Sequence, residues 1–328
     1  MPNDRIFFAC QAVLVGSNFL SGVQSVGVNT NTPSQNLFDP GRAQQKYHFY
    51  DQQEIEITIG RIIDQGETFF FPSSSVSLVD NANLHAGGTS LKEYEIGLIY
   101  SSDAFSRVGD TGNDKLLTTF RNCLISNISY DISVGGSVVE SVTLITRRRD
   151  KGTTISATLP TEAESGNTIK WHDVDIVSST LPSEVSSMFD LSNTLDGIKI
   201  YGLQSINIEV SIDYQELLDV GQRPGVNNQT NQNLWRYMNL PVGVSASFTG
   251  ITRQNYPATI TNSGAEFDDS RTISITAPKQ NGSTFTWDLG TKNYVADIST
   301  SGGDGGGENV QTTISYQNNY NEAMFAKS

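Results

Sequence analysis

The chain has 328 residues, room for one large domain or two ordinary ones. Its formal charge of −14 argues against general affinity for a phosphate backbone, and its two cysteines are too few for a disulfide framework. Charged residues make up 17% and hydrophobic ones 37%, but the latter fall in alternating runs, so the composition reads as a turn-rich β protein rather than a disordered chain.

The opening MPNDRIFFACQAVLVG has a short apolar run broken by Gln11, with no basic leader region or small-residue cleavage site. No apolar run approaches the roughly 18–20 residues of a membrane span, so a soluble chain made in the cytosol is expected. Strands are predicted at 6–15, 23–28, 54–63, 94–100, 123–133 and 138–146, and again at 198–212, 242–251, 272–276, 284–289, 294–299 and 310–316. In EIEITI, Ile55, Ile57 and Ile59 share one face and Glu54, Glu56 and Thr58 the other. In INIEVSI, Ile206, Ile208, Val210 and Ile212 stand opposite Asn207, Glu209 and Ser211. Such alternation predicts antiparallel sheets with one packed and one wetted side.

Helical spacing is sparse. Leu116, Leu117 and Phe120 predict a helix within 112–124, and Val185, Met188 and Phe189, behind an N-cap at Ser183, predict another within 181–193. SVGGSV (133–138) and the Gly-rich stretch 299–310 lie between strands, with no Lys-Ser or Lys-Thr behind them, and read as hairpin turns rather than phosphate loops. Two long polar stretches, 29–46 and 213–236, interrupt good strands and predict ordered, functional loops. A linker is predicted over 151–167, behind a basic run, Arg147, Arg148 and Arg149, expected to contact an acidic neighbouring subunit.

The chain does not read as an enzyme. His48, His85 and His172 lack partners at metal-ligand spacing, Gly88 to Ser90 is not a nucleophile elbow, and the acidic runs at 213–219 and 266–269 read as surface clusters. No cofactor or metal is expected.

A repeat organises the chain. GVQSVGV at Gly22 recurs as GLQSINI at Gly202. Without a gap, Leu37, Asp39 and Gly41 recur as Leu217, Asp219 and Gly221, with Arg42 matched by Gln222. Ile55, Ile57 and Ile59 then meet Val244, Ala246 and Phe248. A later block matches at an offset of 171, pairing Asn122 with Asn293, Cys123 with Tyr294 and Ser141 with Thr312. Tandem duplication of one domain is the expectation: a first domain over 1–150, a linker over 151–175 and a second domain over 176–328.

GVQSVGV, a long polar loop and YDQQEIEITIGRII together resemble the β-hairpin of tailed-bacteriophage tail tube proteins. NCLISNISYDISVGGSVVESVTLITR resembles the end of that domain. The resemblance covers most of the first half and, more faintly, the second. It implies a mainly β fold of two tandem tube-like β-sandwich or half-barrel domains, each with a short helix and a long inter-strand loop. It implies homotrimeric rings of six pseudo-equivalent domains, stacked into a virion tail tube assembled in the host cytoplasm. Implied partners are further copies of the chain, the tape measure and terminator proteins and, in contractile tails, a sheath, with DNA passing through unbound. Glu54, Glu56, Thr58, Glu209, Gly243, Ser245 and Ser247 are the expected lumen-facing residues. Leu37, Asp39, Gly41 and Arg42, with Leu217, Asp219, Gly221 and Gln222, are the expected ring-stacking residues. The alternatives are a distal tail or terminator ring, a trimeric β-rich adhesin, and a carbohydrate-active enzyme, for which Trp171, Trp235 and Trp287 show no clustering in sequence.

Overall fold

The computed structural model describes residues 11–16, 18–38, 45–50, 53–63, 76–77, 93–101, 115–154, 168–191, 194–195, 198–199, 202–217, 235–239, 242–251, 271–278, 284–302 and 310–318. The fold is mainly β and overwhelmingly antiparallel. In the first half the strands are β1 (Gln11–Val15), β2 (Asn18–Phe19), β3 (Val23–Asn31), β4 (Ser34–Phe38), β5 (Gln45–Tyr50), β6 (Glu54–Ile62), β7 (Val76–Ser77), β8 (Tyr94–Ser101), β9 (Lys115–Ser133), β10 (Val139–Thr146) and β11 (Arg148–Thr154). In the second they are β12 (Asp175–Thr180), β13 (Thr194–Leu195), β14 (Ile198–Lys199), β15 (Leu203–Ser211), β16 (Tyr214–Leu217), β17 (Trp235–Met238), β18 (Gly243–Ile251), β19 (Ser274–Pro278), β20 (Thr284–Asp288), β21 (Tyr294–Ser301) and β22 (Gln311–Asn318). One α-helix, α1 (Ser183–Met188), occurs among the described residues.

A front sheet runs β3-β6-β10-β9-β15-β18-β22-β21. Its first four strands and its last four follow the same neighbour order. The registers correspond too: Val26 faces Ile59 and Val28 faces Ile57, as Ile206 faces Phe248 and Ile208 faces Ala246. A bulge skips Gln24 between β3 and β6, and another skips Gln204 between β15 and β18. Each of these glutamines donates from its side-chain amide to the carbonyl two residues back, Gly22 or Gly202. Each glycine carbonyl also accepts from the last residue of a facing strand, Ile62 N–H at 2.9 Å or Ile251 N–H at 2.7 Å. This is the structural content of the repeated Gly-x-Gln-Ser. A second pair of bulges skips Ser126 between β9 and β10 and Ala296 between β21 and β22. Bulges bend strands and raise their twist, so matched bulges give both arrays the same curvature.

The ladders correct the alignment of the last block by one residue. Val142 and Ile314 are equivalent, 172 positions apart, and Ile128 and Ile298 are equivalent, 170 apart, so neither strand follows the expected 171. A one-residue slip would exchange the two faces of a strand. Cys123 faces Tyr94 as Asn293 faces Arg271, so Cys123 corresponds to Asn293 and not to Tyr294.

Behind the front sheet run β1-β8-β9-β11 in the first half and β12-β19-β20 in the second. The described part of the helix expected over 112–124, from Lys115 on, belongs to β9 instead, because β8 and β11 take up both edges of that stretch. β9 serves both layers. Its first part pairs with β8 and its last part with β10, and it turns at Asn122, whose φ is +55°. Asn is among the few non-glycine residues that tolerate this region. The returning chain crosses at the same level through Arg147, between β10 and β11. Thr146 Oγ1 donates to the Arg121 carbonyl there and accepts from Arg148 N–H.

The helix near 181–193 is present but short, and Pro182 rather than Ser183 is its N-cap. Part of the expected linker forms β11, and Ile169 is buried between the end of β6 and the start of β10, bonded to Ile63 and Val138.

The apolar faces of both layers and α1 form one cluster. Ile55, Ile57, Ile59, Val142 and Tyr130 are fully buried in it, with Trp287, Phe248 and Tyr316 from the second half. Tyr130 meets Trp287 edge to face at 5.8 Å, so the core does not stop at the boundary between halves. Among the described residues two ion pairs lie inside. Arg61 is 3.5 Å from Glu140. Arg271 reaches Glu184 Oε1 through Nε at 2.9 Å and Nη2 at 2.7 Å, tying β19's approach to α1. Breaking such a pair from one side leaves a buried charge, so Glu184→Ala is expected to cost about 3–5 kcal/mol, read from urea unfolding midpoints, while a paired Glu184→Leu/Arg271→Leu variant loses much less.

Burial also sets the alkaline limit of the fold. It lifts the Cys123 thiol from 9.0 to about 12, against weaker lowering by Thr146, and the Tyr94 phenol from 10.0 to about 12. Tyr214 and Tyr316 move up for the same reason. The folded chain keeps these protons while the unfolded chain releases them, so their stabilisation is intact below pH 9 and lost as pH rises toward 12. A urea midpoint flat from pH 7 to 9 and falling steadily above it is expected, with Cys123 unreactive to thiol reagents at pH 8.

Candidate functional site

Alternation along the front sheet sends one set of side chains into the core and the other to the opposite face. All seven residues expected to line a lumen lie together on that opposite face. Glu54 is paired with Asn31, Glu56 with Asn29 and Ile145, and Thr58 with Gly27 and Thr143. Glu209 is paired with Ser129 and Ser245, Ser247 with Asn207 and Ser315, and Gly243 with Ser211. The three glutamates are exposed and the four small residues half-buried.

The ladder adds residues that were not singled out from sequence. Asn127, Ser129 and Asp131 join the face through β9, Thr313 and Ser315 through β22, and Asp297 through β21. Strict alternation in NISYDIS carries the signal for the first three. Asp297 was hidden because the bulge at Ala296 breaks the period of two. Apolar or aromatic exceptions fall near strand ends and the β9 corner, at Ile62, Leu124, Val139, Ile145, Ile251 and Tyr294.

The chemistry of this face is uniform. Side chains are short and carry hydroxyls or amides, and several satisfy one another: Ser247 with Ser315 at 2.9 Å and Thr249 with Thr313 at 2.8 Å. Asn127 Nδ2 donates to Glu209 Oε1 at 2.6 Å, across the seam between β9 and β15. The formal charges among its described strand residues are all negative: Glu54, Glu56, Asp131, Glu209 and Asp297. Of the basic residues in the described front-sheet strands, Arg61 is buried on the other side, and Lys115 and Arg121 lie on the first part of β9, where it pairs with β8 and β11. The field over the face is therefore of one sign.

The two long polar stretches are antiparallel arms. β4 pairs with β5 and β16 with β17, and Leu37 faces Tyr47 as Leu217 faces Trp235. Expected stacking residues Leu37 and Leu217 thus sit on arm strands, whereas Asp39, Gly41, Arg42, Asp219, Gly221 and Gln222 lie outside the described residues. Tyr214 roots the second arm by donating its hydroxyl to the Ile125 carbonyl at 2.7 Å, beside the bulge at Ser126.

The basic run lies at the start of β11, away from the polar face. Arg148 is 3.7 Å from Asp150, which also faces Arg121 at 3.1 Å, and the Arg149 guanidinium lies 5.7 Å from the Phe120 ring centre. Acids of the chain itself therefore meet part of this charge.

No group of three His, Cys, Asp or Glu gathers at metal-binding distance among the described residues. Trp287 is buried and Trp171 is 41% exposed beside His172, so these two tryptophans do not line one cleft. No helix among the described residues is long and apolar enough to cross a membrane. No protein-family model matches the chain, and no curated protein matches it significantly.

The two faces of one strand separate folding from surface chemistry. Ile208 is fully buried and its neighbour Glu209 is exposed. Ile208→Ala is expected to cost about 2–5 kcal/mol and Glu209→Gln less than about 1 kcal/mol in denaturant titrations.

Proposed function

We propose that the chain is a tail tube subunit of a tailed bacteriophage. In this reading each half is a tube-type half-barrel domain, the halves arose by tandem duplication, and three chains make a ring of six pseudo-equivalent domains. Rings stack into a conduit assembled in the host cytoplasm and carried in the virion tail, with no catalysis and no cofactor. The observation that carries the reading is the acidic, short-chained face running without interruption across both halves of the front sheet. A conduit for DNA needs this surface: phosphates are repelled, and no cationic side chain of the described strands stands on this face to hold them. The matched neighbour order and matched bulges support the duplication.

The arms β4/β5 and β16/β17 are the proposed contacts to the adjacent ring, through Leu37–Arg42 and Leu217–Gln222. Arg149, exposed at the far side, is the proposed reach toward an acidic neighbour. Tape measure and terminator proteins are the proposed partners at the lumen and the tube end.

Negative-stain electron microscopy of the concentrated protein is expected to show hollow tubes of stacked rings. Rings that never stack would move the assignment to a distal tail or terminator protein, and compact trimers without a lumen to an adhesin. In tubes of a Glu54→Lys/Glu56→Lys/Glu209→Lys variant, assembly is expected to persist. Short duplex DNA should then bind with an affinity that falls steeply as salt rises, unlike the unmodified tube.

A further inference from the structure

The front sheet ends in two edges, β3 and β21. Among the described residues β3 pairs with β6 alone and β21 with β22 alone. Natural edges are commonly blunted by lysine, proline or inward charges. β3 carries no charged residue and no proline, and β21 carries a single aspartate.

The chain already contains a contact that matches these edges. β9 holds in the first array the place that β21 holds in the second, and β15 holds the place of β3. Where β9 meets β15 the register is Tyr130 with Ile208, Ser129 with Glu209 and Asn127 with Ser211. Carrying β9 forward by 170 positions and β15 back by 180 converts this seam into a seam between two copies. We propose that β21 of one chain pairs antiparallel with β3 of a second copy in that register. Thr300 stands opposite Val28, Ser299 opposite Asn29 and Asp297 opposite Asn31. The inference rests on the ring-forming reading above and adds the residues that join one chain to the next.

Two observations favour this partner and register. The first is burial. Ile208 and Tyr130 are fully buried at the internal seam, whereas Val28, the counterpart of Ile208, is 38% exposed at its edge. A second copy in this register would cover it. The second is a polar pair with its ends exchanged. At the internal seam the Asn127 amide donates to the Glu209 carboxylate. The counterpart of Asn127 is Asp297 and the counterpart of Glu209 is Asn29, so the seam between copies again joins one amide to one carboxylate. A slip of two residues would break that pair, and a slip of one would set the apolar strip of β3 against the polar face of β21.

Cysteine pairs test the register, because directly opposed strand positions fall within disulfide range and positions two residues off do not pair well. Asn29→Cys/Ser299→Cys is expected to give covalent trimers and shorter ladders on mild oxidation. Asn29→Cys/Ser301→Cys should give at least tenfold less, and single-cysteine variants only the background of Cys10 and Cys123. Ser129→Cys/Glu209→Cys serves as the positive control, closing within one chain. Asn29→Asp, which opposes two carboxylates, should weaken assembly by at least tenfold at neutral pH, with recovery in Asn29→Asp/Asp297→Asn. Tubes that form from the unmodified chain but cross-link best in the shifted pair, or not at all, would overturn this register and leave the tube reading standing. An unmodified chain that stays monomeric at every concentration would overturn both.

Discussion

The structure depends on the antiparallel ladder between β9 and β15. Seven residue pairs, from Ser133 with Ser205 to Asn127 with Ser211, stitch the first-half strands to the second-half strands. Through it the polar face crosses from one half to the other without a step, and Tyr130 is buried between Ile208 beside it and Trp287 behind it. Without it each half would expose a flat edge and an apolar strip, a condition β proteins avoid by pairing or blunting. The same ladder that gives the chain one core thus gives it one continuous surface.

A second constraint is the corner where strands leave the front sheet for the back. In the first half β9 crosses at Asn122, in the left-handed region, and the returning strand crosses at Arg147, locked by the Thr146 hydroxyl. In the second half the chain breaks into β20 and β21 around Gly290, with φ of +73°, and the buried Asn293 amide holds that turn by donating to the carbonyls of Gly290 and Arg271. The task is the same, to turn a strand from one layer to the next. One half does it with a continuous bent strand and the other with a turn pinned by a side chain. Different residues at these corners explain why identity between the halves fades there while the flat strands still match.

Much of the fold was legible because its signal is local. The strand predictions at 54–63, 94–100, 138–146, 242–251 and 284–289 lie within a residue or two of the observed ones. The seven expected lumen residues share one face because alternation along a strand needs no tertiary knowledge. The segment 112–124 misled for a physical reason. Leu116, Leu117 and Phe120 fit a helical stripe, yet in the sheet Leu116 faces Tyr100 and Thr154 while Phe120 faces Ile96 and Arg149. Thr118 and Thr119 between them favour the extended form, and available edges on both sides decide a segment whose spacing fits either. The polar stretches after β3 and β15 read as loops because their sequences lack a long apolar alternation, although among the described residues β4 pairs with β5 and β16 with β17.

The sequence by itself determined the β class and the two faces of the main strands. These follow from backbone sterics and from a period of two, both of which act over a few residues. Tertiary structure alone decided that the two halves share one sheet, that Asp297 joins Glu54, Glu56 and Glu209 on one side, and that the last block aligns at 170 and 172 rather than 171. Those outcomes hang on hydrogen-bonded register between strands about 80 residues apart in sequence, where a single bulge exchanges inside for outside. No local pattern in the chain carries that information.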